Sequence, residues 1–335
     1  MIDRWIAFWD RREPATCLVL VRILVGLVVC ADLLTAWSLG LVPELWAPPP
    51  TGMGFGAIEA NPPAVVRWFG ATARTAELTW LVATLSAVML ATGTLTRIAA
   101  IVCALASAQL AGLSPNADRG IDSLLRIVCV ILALSAAGTR FSVDALLARG
   151  AGRRPPALVP AWPRYLLFAQ TVWVYFSAFH HRSGSGWWPT GSFSALAGIL
   201  SDPHYTRLAP GLVAPFYPLT QLGTAGTMLF EGSAPLLILW TYFERTRSEP
   251  GRLRALANRF KLRWLWLGAG VLLHLGIALT MRLGIFPFGM LALYPCFLYP
   301  DEVARGARAG KAWAVRAVNR WRTRAHREAS TGPGR

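Results

Sequence analysis

Long apolar stretches separated by short polar segments follow one another along most of the chain. A helix needs about 20 apolar residues to cross roughly 30 Å of hydrocarbon. Eight stretches meet or approach that length: 16–37, 77–94, 97–113, 121–138, 164–182, 218–242, 264–281 and 283–299. The pattern predicts an all-α fold, a polytopic integral membrane helical bundle with about eight transmembrane helices.

Two further segments are predicted not to span. The segment 186–200 is apolar but is interrupted by Pro189, Gly191 and Gly198, which is typical of an interfacial or re-entrant piece. The proline-rich region 41–72 is expected to be a structured surface loop. The first apolar run is long and lacks a small-residue cleavage site, so no cleavable signal peptide is expected.

The distribution of cations predicts the orientation. The 335 residues include 33 Lys and Arg against 17 Asp and Glu, a net charge of +16. Eight spans put both termini on one side, and that side collects 25 of the cations against six on the other. The positive-inside rule then places both termini in the cytoplasm of a multi-pass protein of the plasma (cell inner) membrane. Anionic lipid accounts for the charge, and no nucleic-acid partner is needed.

The chain divides into a transmembrane domain over 1–300 and a basic cytoplasmic tail over 301–335. The tail combines arginine, alanine and tryptophan, a composition typical of an amphipathic helix on the inner leaflet. All cysteines lie in apolar stretches, and their odd number and spacing favour buried thiols over disulfides or a zinc site. These cysteines are Cys17, Cys30, Cys103, Cys129 and Cys296.

Ionisable side chains within the predicted spans are the candidate functional residues, because each is costly to place in hydrocarbon. Most of them lie between the midplane and the outer leaflet, whereas Arg22 is nearer the inner one. The set comprises Arg22, Asp32, Asp122, Arg126, Glu231 and His274, with His180, His181 and Arg182 at the outer end of the fifth stretch.

For two of these groups a structural interpretation is favoured. Asp122 and Arg126 are four residues apart on one helix, so they are expected to neutralise each other. Arg22 is expected to extend towards the inner headgroups. Arg182 is expected to pair with Asp32, which lies at a matching depth. His180 and His181 are adjacent and point in different directions, which argues against a metal site.

Glu231 and His274 leave alternatives open. Glu231 has no charged neighbour within a turn, so it must be protonated or paired with a residue of another helix. Its role is then either structural or functional. His274 is either a satisfied core histidine or part of a site. Both lie near mid-depth on consecutive spans joined by the short loop 243–263, so we expect them to face one interior cavity.

Several short motifs recur in a fixed order over residues 15–300. They are Arg22-Ile23-Leu24-Val25-Gly26, Phe141-Ser142-Val143-Asp144, the run Val174-Tyr175-Phe176-Ser177-Ala178-Phe179-His180-His181-Arg182 followed by Trp187 and Gly191, Glu231 before a Pro-Leu-Leu run, and His274-Leu275-Gly276. Together they resemble the HTTM family, the transmembrane module shared by vitamin K-dependent γ-carboxylases and many bacterial proteins.

The resemblance implies a chemistry at the end of the fifth stretch. In the carboxylases a lysine at this helix end is the proposed base that deprotonates vitamin K hydroquinone. This chain has Arg182 at the matching place, and arginine cannot act as a base because its pKa stays above ~12. A histidine side chain can act as a base, so His181 or His180 remains as a base for a quinone or hydroquinone cofactor.

Two classes of function are therefore expected. The first is a quinone-linked pocket in the outer half that assists modification or maturation of a secreted peptide or a membrane-associated redox partner. The second is a non-catalytic membrane scaffold or lipid or small-molecule carrier that has lost the base. For the first class the candidate catalytic residues are His180, His181, Arg182, Glu231 and His274. The candidate ligand-binding residues are Tyr175, Trp187, Asp32 and Arg126.

Overall fold

The computed structural model describes residues 6, 9–54, 62–209, 211–313 and 316, and within them the fold is almost entirely helical. One short antiparallel pair joins strand β1 (Arg12–Glu13) to strand β2 (Val159–Pro160). The helices are α1 (Thr16–Ser38), α2 (Leu41–Trp46), α3 (Ala64–Phe69), α4 (Ala73–Thr92), α5 (Thr96–Leu113), α6 (Gly120–Ala133), α7 (Val143–Gly150), α8 (Trp162–His180), α9 (Ala195–Ser201), α10 (Tyr217–Gly232), α11 (Leu236–Arg245), α12 (Arg252–Arg259), α13 (Leu262–Thr280) and α14 (Phe286–Ala292).

Four of these helices are long and apolar enough to cross a membrane. They are α1, α4, α5 and α13, with α1 the most apolar. Ala214–Gly232 and Leu236–Arg245 would form a fifth span if taken together, but the chain bends by 63° between them. Length and composition therefore support four or five spans within the described residues, and the predicted count of about eight is not confirmed.

The remaining predicted stretches are helical but differ from simple spans. Helix α6 has 14 residues and ends at Ala133, short of the predicted stretch 121–138. The stretch 283–299 forms α14 and a 3-10 turn, Tyr294–Phe297. Helix α8 has 19 residues but is less apolar than the four long spans. Segment 186–200 contains 3-10 turns and helix α9, which is too short to span.

Parts of the predicted loop and tail lie outside the described residues. Within the loop 41–72, helices α2 and α3 flank the residues 55–61 that are not described. The tail is helical through residue 313, and beyond that only residue 316 is described, so the predicted surface helix stays largely a prediction.

The ends of several helices lie close together at one end of the bundle. Arg164 at the start of α8 pairs with Glu13 of β1, with Nε 2.5 Å from Oε1. Arg263 at the start of α13 pairs with Glu244 at the end of α11 and with Glu302, each at 2.7 Å. Each of these arginine side chains is at most 4% exposed. The ion pairs are therefore buried and hold the helix ends together in the interior of the bundle.

The opposite end is fastened by a different set of contacts. The start of α6 meets α1 where Arg119 pairs with Asp32. The loop before α10 bridges to the end of α13 through Thr206 and Met281. Helices α1 and α13 thus each extend from the first set of contacts to the second.

Arg22 does not extend to the headgroups as predicted. Its side chain is fully buried, and Nη2 donates a hydrogen bond to the carbonyl of Phe141 at 2.5 Å. The face of α1 that carries Arg22 packs against the connector after α6, so protein replaces lipid on that side. A neighbouring backbone carbonyl therefore takes the role predicted for a lipid headgroup.

Candidate functional site

The candidate site is a cavity of about 660 Å³ formed mainly by α8, α9, α10, α13 and α14. A volume in this range suits a small organic molecule. Its wall is mostly aliphatic and aromatic, and the polar lining is confined to a few side chains. They are Tyr175, Arg182, Trp187, Thr220, Thr224, Thr227, Glu231, His274 and Thr280.

The rim of the cavity is apolar and accessible. Leu219 and Leu272 are 65% and 72% exposed, and Leu212 and Phe216 are also exposed. Exposed aliphatic side chains on a membrane protein are compatible with contact to lipid tails. A molecule with a hydrocarbon portion has an apolar route from the bilayer into this cavity.

Arg182 and Glu231 form a bidentate ion pair in the wall. Nε of Arg182 donates to Oε2 of Glu231 at 2.7 Å, and Nη2 donates to Oε1 at 2.6 Å. The guanidinium also lies over the ring of Trp187, 3.7 Å from its centroid. The carboxylate engages two of the three nitrogens, which leaves the Nη1 hydrogens for the cavity.

This pairing corrects the prediction that Arg182 would meet Asp32. The depth argument assumed straight helices, whereas the span containing Glu231 bends by 63° just beyond it. Gly232 lies against Phe179, where a Cβ atom would approach the ring to 3.0 Å. A side chain at this position would hold α8 and α10 apart. The glycine therefore lets the two helices approach closely enough for Glu231 to contact Arg182.

A chain of three hydrogen-bonded aromatic side chains reaches the wall through Tyr175 and His274. The hydroxyl of Tyr175 is 2.6 Å from Nε2 of His274 and 3.2 Å from the hydroxyl of Tyr294. His274 is 1% exposed, and its Nδ1 has no hydrogen-bond partner among the described residues. His274 also lines the cavity, so the unpartnered nitrogen belongs to a residue of the cavity wall.

Gly270 allows Tyr294 to reach this chain. A Cβ atom at Gly270 would lie 1.9 Å from the Tyr294 hydroxyl. We predict that Gly270→Ala destabilises the protein by about 1 to 2 kcal/mol through this overlap. Gly268→Ala on the same helix meets nothing within 4 Å and serves as the control, with an expected gain of about 0.5 to 1 kcal/mol. SDS-induced unfolding in mixed micelles measures both, and equal effects would refute the overlap.

Glu231 and His274 both line this cavity, as predicted, and so do Tyr175 and Trp187. His180 and His181 do not. Both histidines are exposed, and Nδ1 of His181 is 2.8 Å from the carbonyl oxygen of Ser177, one turn earlier on its own helix. Residues 175, 178 and 182 share one helical face, whereas 180 and 181 fall on another.

Asp32 and Arg126 also lie outside the cavity. They line a separate cleft of about 80 Å³ between α1, α5 and α6. Arg126 pairs with Asp118 at 2.7 Å, while Arg119 pairs with Asp32 and Asp122. This corrects the predicted Asp122–Arg126 pair. Asp122 instead accepts a hydrogen bond from the Arg119 backbone N–H, which turns its carboxylate towards the start of α6.

Tyr294 and the threonines of α10 are not among the candidate site residues that the sequence predicted. Thr220, Thr224 and Thr227 follow helical spacing along one face of α10. That spacing is a readable signal for a polar face in an otherwise apolar stretch. Tyr294 gives no comparable signal, because a single tyrosine near the end of a predicted span also fits an interfacial anchor.

Comparison with known proteins identifies a family. No curated protein and no solved structure matches the chain. The family model described as the HTTM domain matches residues 10–241, more than two thirds of the 335 residues. Tyr175, Arg182 and Glu231 lie within the matched range, and His274 lies beyond it. With its apolar helices the protein is a multi-pass membrane protein, and it belongs to the HTTM family.

Proposed function

We propose that this protein binds a quinone-like lipophilic molecule in the cavity and exchanges a proton with it. By family resemblance, the exchange would support modification or maturation of a secreted peptide or a membrane-associated redox partner. The apolar rim and largely aliphatic wall suit the ring and tail of such a molecule. The few polar side chains suit its oxygen atoms.

The observation that carries the proposal is the buried, unpartnered Nδ1 of His274, a residue that lines the cavity. Where Nε2–H donates to the Tyr175 hydroxyl, Nδ1 accepts a proton from a quinol hydroxyl. Where Tyr175 donates to Nε2 instead, Nδ1–H donates to a quinone carbonyl. One nitrogen thereby serves both forms of the ligand, and Tyr175 sets which proton is present.

Arg182 has a positioning role in this proposal. A guanidinium stays protonated, so it cannot take the proton from a quinol as the lysine of the carboxylases is thought to do. Its contact with Glu231 at 2.6 Å neutralises the charge at rest. The Nη1 hydrogens remain suited to a ligand oxygen that gains negative charge.

A second candidate function is a lipid or small-molecule carrier without catalysis. The bidentate pair between Arg182 and Glu231 favours it, because both charges at the position of the lost base are already satisfied. A carrier needs the cavity and its apolar rim but no proton transfer. Ligand binding without a proton dependence on His274 would support this function over the first.

The test uses fluorescence quenching of Trp187, which lines the cavity, by a quinone with a decyl tail. We expect saturable quenching for the protein in nanodiscs and loss of the saturable component in Trp187→Phe. Trp173 on α8 is 63% exposed and outside the cavity, so Trp173→Phe is the matched control and should keep it. Saturable quenching that persists in Trp187→Phe, or quenching that only rises linearly, would overturn the proposed binding.

We also propose that all eight stretches cross the plasma membrane, with both termini in the cytoplasm. The excess of cations on one side of the predicted topology supports this proposal. Reporter fusions after residues 155 and 255 should report a cytoplasmic location, and a fusion near residue 205 a periplasmic one. The reverse pattern would contradict the orientation, and a mixed pattern would contradict the count.

A further inference from the structure

We propose that the connector between α6 and β2 is a binding site for an anionic phospholipid, which it holds by the phosphate group. The connector contains another cavity, of about 380 Å³, which shares no lining residue with the ligand cavity described above. Three arginines line it, Arg140, Arg149 and Arg154, together with Thr139, Pro155 and Pro156.

The charges of the three arginines are not compensated by protein. Within the described residues, none of these guanidinium groups makes an ion pair or a side-chain hydrogen bond, and no carboxylate lines the cavity. Arg164 and Arg263 inside the bundle and Arg182 in the wall of the ligand cavity differ from them, because each contacts a carboxylate. Guanidinium groups bind phosphate through paired N–H···O hydrogen bonds, so phosphate is the fitting counterion.

Apolar side chains beside the cavity indicate that the phosphate belongs to a lipid. Phe141, Leu146 and Leu147 are 76%, 65% and 66% exposed, and the two leucines lie on α7. A short helix with exposed leucines and neighbouring arginines has the character of a segment lying in the membrane interface. Acyl chains would cover these side chains while the arginines contact the headgroup, whereas free phosphate leaves them uncovered.

The connector is held firmly on the bundle, so the site is preorganised. The carbonyl of Phe141 accepts a hydrogen bond from buried Arg22. The carboxylate of Asp144 accepts hydrogen bonds from the backbone N–H groups of Leu95 and Thr96, at 2.7 and 2.8 Å. Ser142 caps the start of α7 through the N–H of Ala145. These contacts fix α7 against the α4–α5 turn and reduce the ordering that binding would require.

The experiment titrates the full-length protein in mixed micelles with phosphatidylglycerol and follows lipid binding by native mass spectrometry. Replacing Arg140, Arg149 and Arg154 together by glutamine should weaken binding about tenfold. The control replaces Arg252, Arg259 and Arg308, which are exposed and outside this cavity, and should weaken it less than threefold. Equal losses in both triple variants would show a general charge effect and overturn the site.

Two further arms identify the source of the phosphate. Glycerol phosphate, which has no acyl chains, should compete only weakly with phosphatidylglycerol for the site. The double variant Leu146→Ser with Leu147→Ser should lower the affinity for phosphatidylglycerol but not the affinity for glycerol phosphate. Equal affinity for the two molecules would overturn a lipid ligand. The triple lysine variant keeps the charges and the fold, and it should retain an intermediate affinity because it loses paired hydrogen bonds. Full loss in that variant would also count against phosphate binding.

Discussion

Glu231→Gln is expected to lower the free energy of unfolding by about 3 kcal/mol or more, because it leaves the Arg182 guanidinium without its carboxylate. The side chain of Glu231 is 8% exposed and that of Arg182 is 21% exposed, so water replaces the lost partner only in part. Stacking on Trp187 retains some of the interaction. SDS-induced unfolding in mixed micelles measures the loss.

The double variant Arg182→Gln with Glu231→Gln separates pairing from packing. It removes both charges together, so it should recover much of the stability lost in Glu231→Gln alone. Asp118→Asn provides a matched control, because it breaks the Arg126–Asp118 pair, whose side chains are 19% and 22% exposed. That more hydrated pair should cost about 1 kcal/mol. A double variant less stable than Glu231→Gln, or an equal loss in Asp118→Asn, would contradict the buried-pair interpretation.

This pair shows how far sequence reasoning extends here. The requirement that Glu231 be paired across helices or protonated followed from the absence of a charged neighbour, and the bidentate contact meets it. The identity of the partner did not follow. It depends on a bend after Gly232 and on close packing against Phe179, which apolar periodicity does not encode.

The predicted ion pairs of Asp32 and Asp122 were wrong for a related reason. Helical spacing correctly predicts which residues share a face, but it does not determine where a flexible arginine extends. Arg119, which directly precedes α6, turns towards the bundle and pairs with both aspartates. A residue at a helix start competes for acidic neighbours through backbone capping, and this competition decided the pairing.

The shared cavity of Glu231 and His274 was accessible to sequence reasoning because it needed only coarse information. Both residues lie near mid-depth on consecutive stretches, and the loop between them is short. Polar side chains at the same depth on adjacent helices are expected to face the interior of the bundle, because lipid tails cannot form hydrogen bonds with them. The contact of His274 with Tyr175, in contrast, joins stretches that are not consecutive.

His274→Leu is expected to weaken binding of the reduced decyl quinone about a hundredfold, because it removes a buried imidazole nitrogen that has no partner among the described residues. Tyr175→Phe should weaken binding less, about tenfold, since Nδ1 remains while its tautomer is no longer set by the tyrosine. The Trp187 quenching titration measures both.

Controls distinguish this result from a general disturbance of the wall. Thr280→Val alters another polar group of the same cavity, one that already donates to the Gly276 carbonyl, and it should leave quinol binding within about threefold. A decylbenzene probe, which has no oxygen, should bind His274→Leu at least as well as the unsubstituted protein. Unchanged quinol affinity in His274→Leu would remove histidine from the site and leave the carrier function. A hundredfold loss confined to the oxygen-bearing probe would place the ligand's hydroxyl on Nδ1, because a general disturbance of the wall would weaken binding of both probes.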